Sequence, residues 1–395
     1  LLELSGPVRT SVYPLAPVIL AALMVVGVQE RAPAQPDGDA PEIQAEAWAV
    51  ADVESGRILA GENVDEQIMM ASTAKVMTAL VVLESGVGLD EEIVVSEDAE
   101  EYVGDTYSNI GLISGESVTA RDLLAASLIP SGTDADYALA EYVGDGSVEQ
   151  FVQQMNGKAE ELGLQNTNFT NPTGIDEENN YSSASDLLKI TGAALEYDLF
   201  RELVSQTQAT IRAEGAGERE IEVYTTNELL STYPPASGVK TGTGSAGYML
   251  ISSAEAQDES YIAAVLGAED EEAVNQSSED LLDYAFASFQ RQEIIEEGRV
   301  YDEREIPFRS RSIELTAAEN VSAVLEEGAE VERRVRDSDL PDSAQQGDEV
   351  GRVEVLVGGE SVGQSALLAS EGYEEASFLR KTTSRLTGWI GGLFG

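Results

Sequence analysis

A serine and a lysine three residues apart, Ser72 and Lys75, lie in the stretch Met70-Ala-Ser-Thr-Ala-Lys-Val-Met-Thr78. They open an apolar run through Val76, Met77, Leu80, Val81 and Leu83. That apolar spacing predicts a helix, and residues i and i+3 of a helix share a face, so the hydroxyl and the amine come within reach of each other. A serine near a helix start also meets free backbone N–H groups and the positive dipole end, which favour a developing oxyanion. The chemistry this points to is nucleophilic attack by Ser72 with Lys75 as base. The chain contains no histidine, so a Ser-His-Asp triad is excluded and a serine nucleophile needs another base. Of the 23 basic residues only Lys75, Lys158, Lys189, Lys240 and Lys381 are lysines. Where arginine is the usual cation, a lysine suggests a task arginine cannot do, such as losing its proton. Spacing alone does not decide the matter. Ser237-Gly-Val-Lys240 repeats it, and a capping serine followed by a solvated lysine has the same form.

Two further clusters could complete a site. Ser131-Gly132-Thr133 follows Ile129-Pro130 between two helical patterns, Ala120 to Leu128 and Asp134 to Val143. Pro and Gly force a turn there, from which a hydroxyl can project into a cleft. Lys240-Thr241-Gly242 precedes an apolar strand starting at Tyr248. A lysine and a threonine on a strand edge, with a glycine allowing close approach, suit a carboxylate.

The elements that must position these groups read as a mixed α/β chain. Residues 45–60 alternate around Ser55-Gly56 and predict a hairpin. Helices are expected over Val148 to Leu162, Ser183 to Tyr197 and Glu279 to Phe289, and strands over Glu220 to Tyr224, Tyr248 to Ser253 and Tyr261 to Leu266. After about residue 295 the pattern changes to short strands with Gly turns: Arg299 to Pro307, Ser312 to Thr316, Ala329 to Arg336, Val350 to Val357 and Ser361 to Leu368. Residues 44–292 are expected to form a catalytic domain and 296–370 a small all-β domain.

At 395 residues with 42% hydrophobic content the chain is long enough for two cores. A net charge of −50 argues against nucleic-acid binding. No cysteine is present, so disulfide and thiolate chemistry are excluded. No Asp-x-Asp-x-Asp loop with a closing Glu appears, and neither metal nor cofactor is expected.

With all three clusters in this order, the sequence resembles the D-alanyl-D-alanine carboxypeptidases, the low-molecular-mass penicillin-binding proteins. The resemblance runs from Ala47 to about Leu368. It is carried by Asp52-Val-Glu-Ser-Gly56, Ala71 to Lys75, Leu124 to Ala140, Phe169-Thr-Asn-Pro-Thr-Gly174, Tyr181-Ser182, Thr226-Asn227, Lys240-Thr-Gly242, Gly247-Tyr248 and Leu281-Leu282. It implies a serine transpeptidase-like α+β domain, an antiparallel sheet flanked by helices, followed by a β-rich second domain. It also implies roles. Ser72 is the nucleophile acylated by the penultimate D-Ala of a peptidoglycan pentapeptide, and Lys75 is its base, with burial and the nearby Lys240 favouring the neutral amine. Ser131 relays a proton to the leaving amine. Lys240 and Thr241, beside Gly242, hold the terminal carboxylate, and the backbone N–H groups of Ser72 and Thr243 form the oxyanion hole. β-Lactam antibiotics would acylate the same serine.

Four departures from the family pattern stand out. Thr133 replaces an asparagine that contacts the substrate peptide bond. Val274 replaces an arginine seven residues before Leu281-Leu282. Asn180 replaces a histidine. The spacing from Lys-Thr-Gly to Gly-Tyr is one residue shorter than usual, which bears on Thr243. Two alternatives follow: a β-lactamase of the same superfamily, which would need a carboxylate base for deacylation, or a catalytically weak wall-binding scaffold.

The termini read as targeting elements. Arg9 precedes an apolar run from Leu15 to Val28, and Ala32-Pro-Ala34 offers small residues for cleavage. The run is shorter than the roughly 20 residues needed to span a bilayer, so residues 1–34 read as a signal peptide and 35–43 as a linker. Export to the periplasm or the outer face of the membrane follows. In residues 374–395, Leu386, Trp389, Ile390, Leu393 and Phe394 share a helical face beside Arg380, Lys381 and Arg385, the pattern of an amphipathic helix on a membrane surface.

The acids are spread along the chain, 73 of them, as in proteins of salt-loving cells. At about 1 M salt the Debye length falls to about 3 Å and the self-repulsion is screened. The melting temperature is therefore expected to rise from dilute buffer to molar KCl; a flat response would remove the halophilic reading.

Overall fold

The computed structural model describes residues 40–101, 107–215, 217–326, 328–336 and 340–378. The expected signal peptide (1–34), most of the linker (35–43) and all but the start of the expected C-terminal helix (374–395) lie outside the described residues.

Ala47–Asp52 (β1) and Ile58–Glu62 (β2) form the expected hairpin. The Ser72 segment is not one continuous α-helix. Ala71–Ala74 is a 3₁₀ turn, and the α-helix Lys75–Glu84 (α1) begins at the lysine. Glu92–Val94 (β3), Glu97–Glu100 (α2) and Ser117–Thr119 (β4) lead to Ala120–Leu128 (α3) and Thr133–Val143 (α4), joined by the expected turn. Val148–Glu161 (α5), Ala184–Leu195 (α6) and Asp198–Val204 (α7) complete a helical lobe. Gln208–Glu214 (β5) and Glu218–Tyr224 (β6) join β3 and β4 in a four-stranded sheet.

Leu229–Thr232 (α8) precedes three long strands, Ala236–Gly244 (β7), Gly247–Ala256 (β8) and Glu259–Ala268 (β9), and then Glu271–Ser288 (α9). The central antiparallel sheet has the order β2-β1-β9-β8-β7, which leaves β7, with Lys240-Thr-Gly242, at an edge. Helix α9 starts eight residues earlier than the apolar pattern predicts, because the Asp270 carboxylate accepts the Ala273 N–H at 2.8 Å and caps it. Its first two turns carry little apolar pattern beyond Val274.

Side-chain alternation explains why the sheet is covered on both faces. Ala47, Ala49 and Ala51 of β1 pack with Ile251, Ile262 and Leu266 against the helical lobe. Trp48 and Val50 point the other way, onto Leu281 and Leu282 of α9. All six residues of β1 are buried. Full burial of a leucine side chain contributes about 1.5–3 kcal/mol, so the Leu281-Leu282 pair fixes α9 on its face.

The later part of the chain is all β. Phe289–Ile295 (β10) pairs with Val321–Glu326 (β13). The strands Val300–Glu305 (β11), Ser312–Ala317 (β12), Val331–Arg336 (β14), Glu349–Val357 (β15) and Glu360–Ala369 (β16) form a sheet ordered β11-β12-β16-β15-β14 around a core of its own. Neither β10 nor β13 is evident from periodicity, and β10 straddles the expected boundary near residues 292–296. The Arg291 guanidinium of β10 pairs with the buried Asp52 at 2.8 Å and with Glu54 at 2.9 Å, tying the strand to the end of β1.

One glycine is indispensable near Ser72. Gly174 has φ of +80°, and a Cβ there would lie 1.6 Å from the Ala71 carbonyl oxygen. Gly174→Ala is expected to destabilise the protein by more than about 1 kcal/mol. Gly157→Ala, in α5 with open space at its Cβ position, is expected to stabilise it by about 0.5–1 kcal/mol. Denaturation midpoints measure both; equal midpoints for the two variants would show that Gly174 does not brace the turn.

Candidate active site

Four segments converge on one cleft of about 230 Å³. The 3₁₀ turn supplies Ser72, the α3–α4 turn Ser131, β7 the run Thr241-Gly242-Thr243, and α9 Glu271, Val274 and Asn275. Ser108, Thr226, Tyr248 and Met249 complete the lining. Lys75, Thr133 and Lys240 are not part of it. They lie beneath, at 0%, 4% and 1% exposure.

Backbone geometry explains the meeting of Ser72 and β7. A Cβ at Gly242 would lie 3.3 Å from both the Ser72 nitrogen and the Ala71 Cβ, so glycine lets the edge strand run beside the serine amide. On the other side of the cleft, Ser131 adopts φ of +68°. Ala71, just before Ser72, has φ of +44°. Left-handed backbone at such residues costs of order 1–3 kcal/mol and persists only where surrounding packing enforces it. The Ser131 Oγ is buried without a hydrogen-bond partner among the described residues, which leaves it available to a ligand. The Thr241 hydroxyl is fixed 2.6 Å from that of Thr226.

The Lys75 ammonium is held from three sides. It donates to the Ser131 carbonyl at 2.8 Å and to the Thr133 hydroxyl at 3.3 Å, and lies 2.5 Å from the Asp136 carboxylate. Asp136 is fully buried and also accepts the Ser127 hydroxyl at 2.5 Å. Burial pushes the Asp136 carboxyl up, against the opposing charge of Lys75, the hydrogen bonds from Lys75 and Ser127, and the charge of Lys240. Lys240 is pushed down to about 7, first by burial and then by the charge of Lys75, with Asp136 working in the opposite direction. Lys240 can therefore lose its proton close to neutral pH. Its ammonium donates to the Thr241 carbonyl at 3.0 Å. Removing one member of a buried ion pair strands the other, at about 3–5 kcal/mol.

The residues singled out from the sequence thus fall into two layers. Ser72, Ser131, Thr241, Gly242 and Thr243 face the cleft. Lys75, Thr133 and Lys240 form the charged floor. Thr133 turns its hydroxyl to Lys75, not into the cleft. Sequence reasoning missed Asp136 and Ser127. Asp136 lies one helical turn after Thr133, a position from which it faces the same side of α4, but nothing local distinguishes it from the other acids. Thr226 was noted as part of a motif without a role.

Comparison with known proteins identifies the family. Residues 32–270 match the D-alanyl-D-alanine carboxypeptidase family and residues 289–375 match the C-terminal domain of penicillin-binding protein 5. The chain is 30% identical over 384 residues to the D-alanyl-D-alanine carboxypeptidase DacF of Bacillus subtilis, covering 94% of this chain and 97% of the relative. It is 32% identical to DacC of Escherichia coli, covering 86% and 87%. Among solved structures, penicillin-binding protein 5 from Haemophilus influenzae superimposes with a TM-score of 0.72 at 28% identity, over 86% of this chain and 100% of the other. The Streptomyces K15 DD-transpeptidase gives 0.61 at 35% identity, over 63% and 100%.

Proposed function

The chain belongs to the D-alanyl-D-alanine carboxypeptidase family, and from that membership we propose how it works, with Ser72 as the nucleophile and Lys75 as its base. The protein is a serine-type D-Ala-D-Ala carboxypeptidase of peptidoglycan metabolism that binds the peptide stem and β-lactams. The observation that carries the assignment of roles is the convergence of Ser72, Ser131 and Thr241-Gly242-Thr243 on one cleft, over a floor of buried Lys75 and Lys240.

Ser72 Oγ attacks the carbonyl carbon of the penultimate D-Ala while Lys75 takes its proton. The tetrahedral oxyanion sits between the Ser72 amide and the Thr243 amide on the edge strand, an arrangement worth about 10²–10³ in rate. Ser131, whose buried hydroxyl has no hydrogen-bond partner among the described residues, passes the proton to the leaving nitrogen, and terminal D-Ala departs. The Thr241 hydroxyl holds the terminal carboxylate before it leaves, and the charge of Lys240 beneath the cleft adds attraction from the floor. Water then attacks the Ser72 ester by the reverse proton path, releasing the shortened peptide. Thr133 contributes by orienting Lys75.

Residues 44–292 constitute the catalytic domain in this reading and 296–370 the β-rich domain. Residues 1–34 direct export, which places the enzyme on the outer side of the cytoplasmic membrane, where peptidoglycan lies. Among the described residues no helix is long and apolar enough to cross a membrane. Residues 374–395 hold the protein on the membrane surface by an apolar face that Phe378, 83% exposed, begins.

Labelled penicillin tests the chemistry. Wild type is expected to form an adduct on Ser72, and Ser72→Ala none. Lys75→Arg keeps charge and bulk but cannot accept a proton, so acylation is expected to fall by about 10²–10⁴-fold. Wild-type labelling of a Lys75→Arg protein shown by circular dichroism to be folded would exclude Lys75 as the base. Truncation before residue 374 tests the anchor: the shortened enzyme is expected to stay in the supernatant with vesicles that sediment the full chain, and co-sedimentation of both would refute it.

A further inference from the structure

We propose that Asp136 is a positioning residue for acylation: as the buried counter-ion of Lys75, 2.5 Å away, it fixes the amine that takes the Ser72 proton, and its charge bears on that proton transfer. This rests on the assignment of Ser72 and Lys75 made above. Asp136 reaches none of the cleft surface, so it acts through the buried lysines, Lys75 by direct contact and Lys240 by charge.

The placement is specific. Asp136 Oδ2 lies 2.5 Å from Lys75 Nζ and has no other hydrogen-bond partner among the described residues, while Oδ1 accepts from Ser127. Both members of the pair are 0% exposed, so no water competes. The charged groups that act on Asp136 are Lys75 at the start of α1 and Lys240 on β7. The α3 helix presents only the Ser127 hydroxyl. On its own helix, Asp134 turns away to the backbone N–H groups of Ile110 and Leu112. A carboxylate thus sits between two buried lysines, in direct contact with only the one assigned as base.

Two consequences follow for the reaction. An ionised Asp136 favours a protonated Lys75, and a protonated Lys75 cannot act as base. The proton can leave by two routes. It can go to solvent at high pH, or it can cross to Asp136 Oδ2, which converts ammonium and carboxylate into amine and carboxylic acid with no net change of charge. The free amine then receives the Ser72 proton as the Oγ–carbon bond forms.

The sign of each test follows. Asp136→Asn removes the anion that favours the ammonium form of its partner, so the acid limb of acylation is displaced to lower pH. Ser127→Ala removes a hydrogen bond that favours the carboxylate. The proton then rests more readily on Asp136, and the limb moves the same way by a smaller shift.

The experiment is the saturating rate of acylation by a chromogenic penicillin from pH 5 to 10, for wild type, Asp136→Asn and Ser127→Ala. The rate is taken at saturation so that any change in the charge of Lys240 appears in the half-saturation concentration. Acid limbs displaced downward in the order Asp136→Asn, Ser127→Ala, wild type support the proposal. Limbs that superimpose in folded variants overturn it and leave Asp136 a packing residue. If Asp136→Asn does not fold, Ser127→Ala decides alone by the same criterion. Wild type that forms no adduct at any pH would instead refute the assignment of Ser72 on which the proposal rests.

Discussion

Two buried ammonium groups and one buried carboxylate share the floor of the cleft, and the helical lobe is built to make that combination tolerable. In a dry site the attraction between Lys75 and Asp136 is strong, and so is the penalty for either group alone. The pair exists only because α3 and α4 are folded back on each other beside α1. Small residues let them close up: Ala126, Ala135 and Ala138 are buried in the core between these helices. The same turn aims the Ser131 carbonyl at Lys75 and its hydroxyl at the cleft. One loop conformation thus positions the base from its backbone and serves the substrate from its side chain.

That arrangement is held under strain. Ala71 and Ser131, both non-glycine residues in left-handed backbone, flank the two hydroxyls closest to the chemistry. Rigid neighbours oppose relaxation. The loop Asn171 to Gly174 lies against the Ser72 turn, with the Asn171 side chain accepting from the Thr173 and Gly174 amides and the Thr78 hydroxyl donating to the Pro172 carbonyl at 2.5 Å. Gly174 and Gly242 then allow two backbones to approach the turn from opposite sides. The cost is met by packing spread over the larger core, which is why the site depends on residues far from any substrate.

The acidic charge of the chain is handled by sorting. Within the fold, the buried carboxylates have specific partners: Asp52 with Arg291, Asp136 with Lys75, Asp134 with backbone N–H groups. Asp52 and Arg291 also join the end of β1 to β10, so a structural ion pair links the catalytic sheet to the β-rich part of the chain. Most remaining acids are exposed, where added salt can screen them.

The sequence by itself determined the chemistry class. A histidine-free chain with sparse lysines, carrying Ser72-x-x-Lys75, Ser131-Gly-Thr133 and Lys240-Thr-Gly242 in order, leaves a lysine-dependent serine nucleophile as the coherent reading. It also determined the hairpin at Gly56, the α3–α4 turn and most of the late strands, because Pro, Gly and period-two patterns are local signals. Elements without such signals were hidden: the start of α9, which depends on a cap, and β10 and β13, which are specified by each other. The division of the site into a cleft wall and a buried floor was equally out of reach. Whether a residue faces solvent or another charge depends on which helices meet. Thr133 faces Lys75 and Asp136 neutralises it because α4 packs on α1, and in a chain with 73 acids no local pattern marks the one that tertiary packing buries against the base.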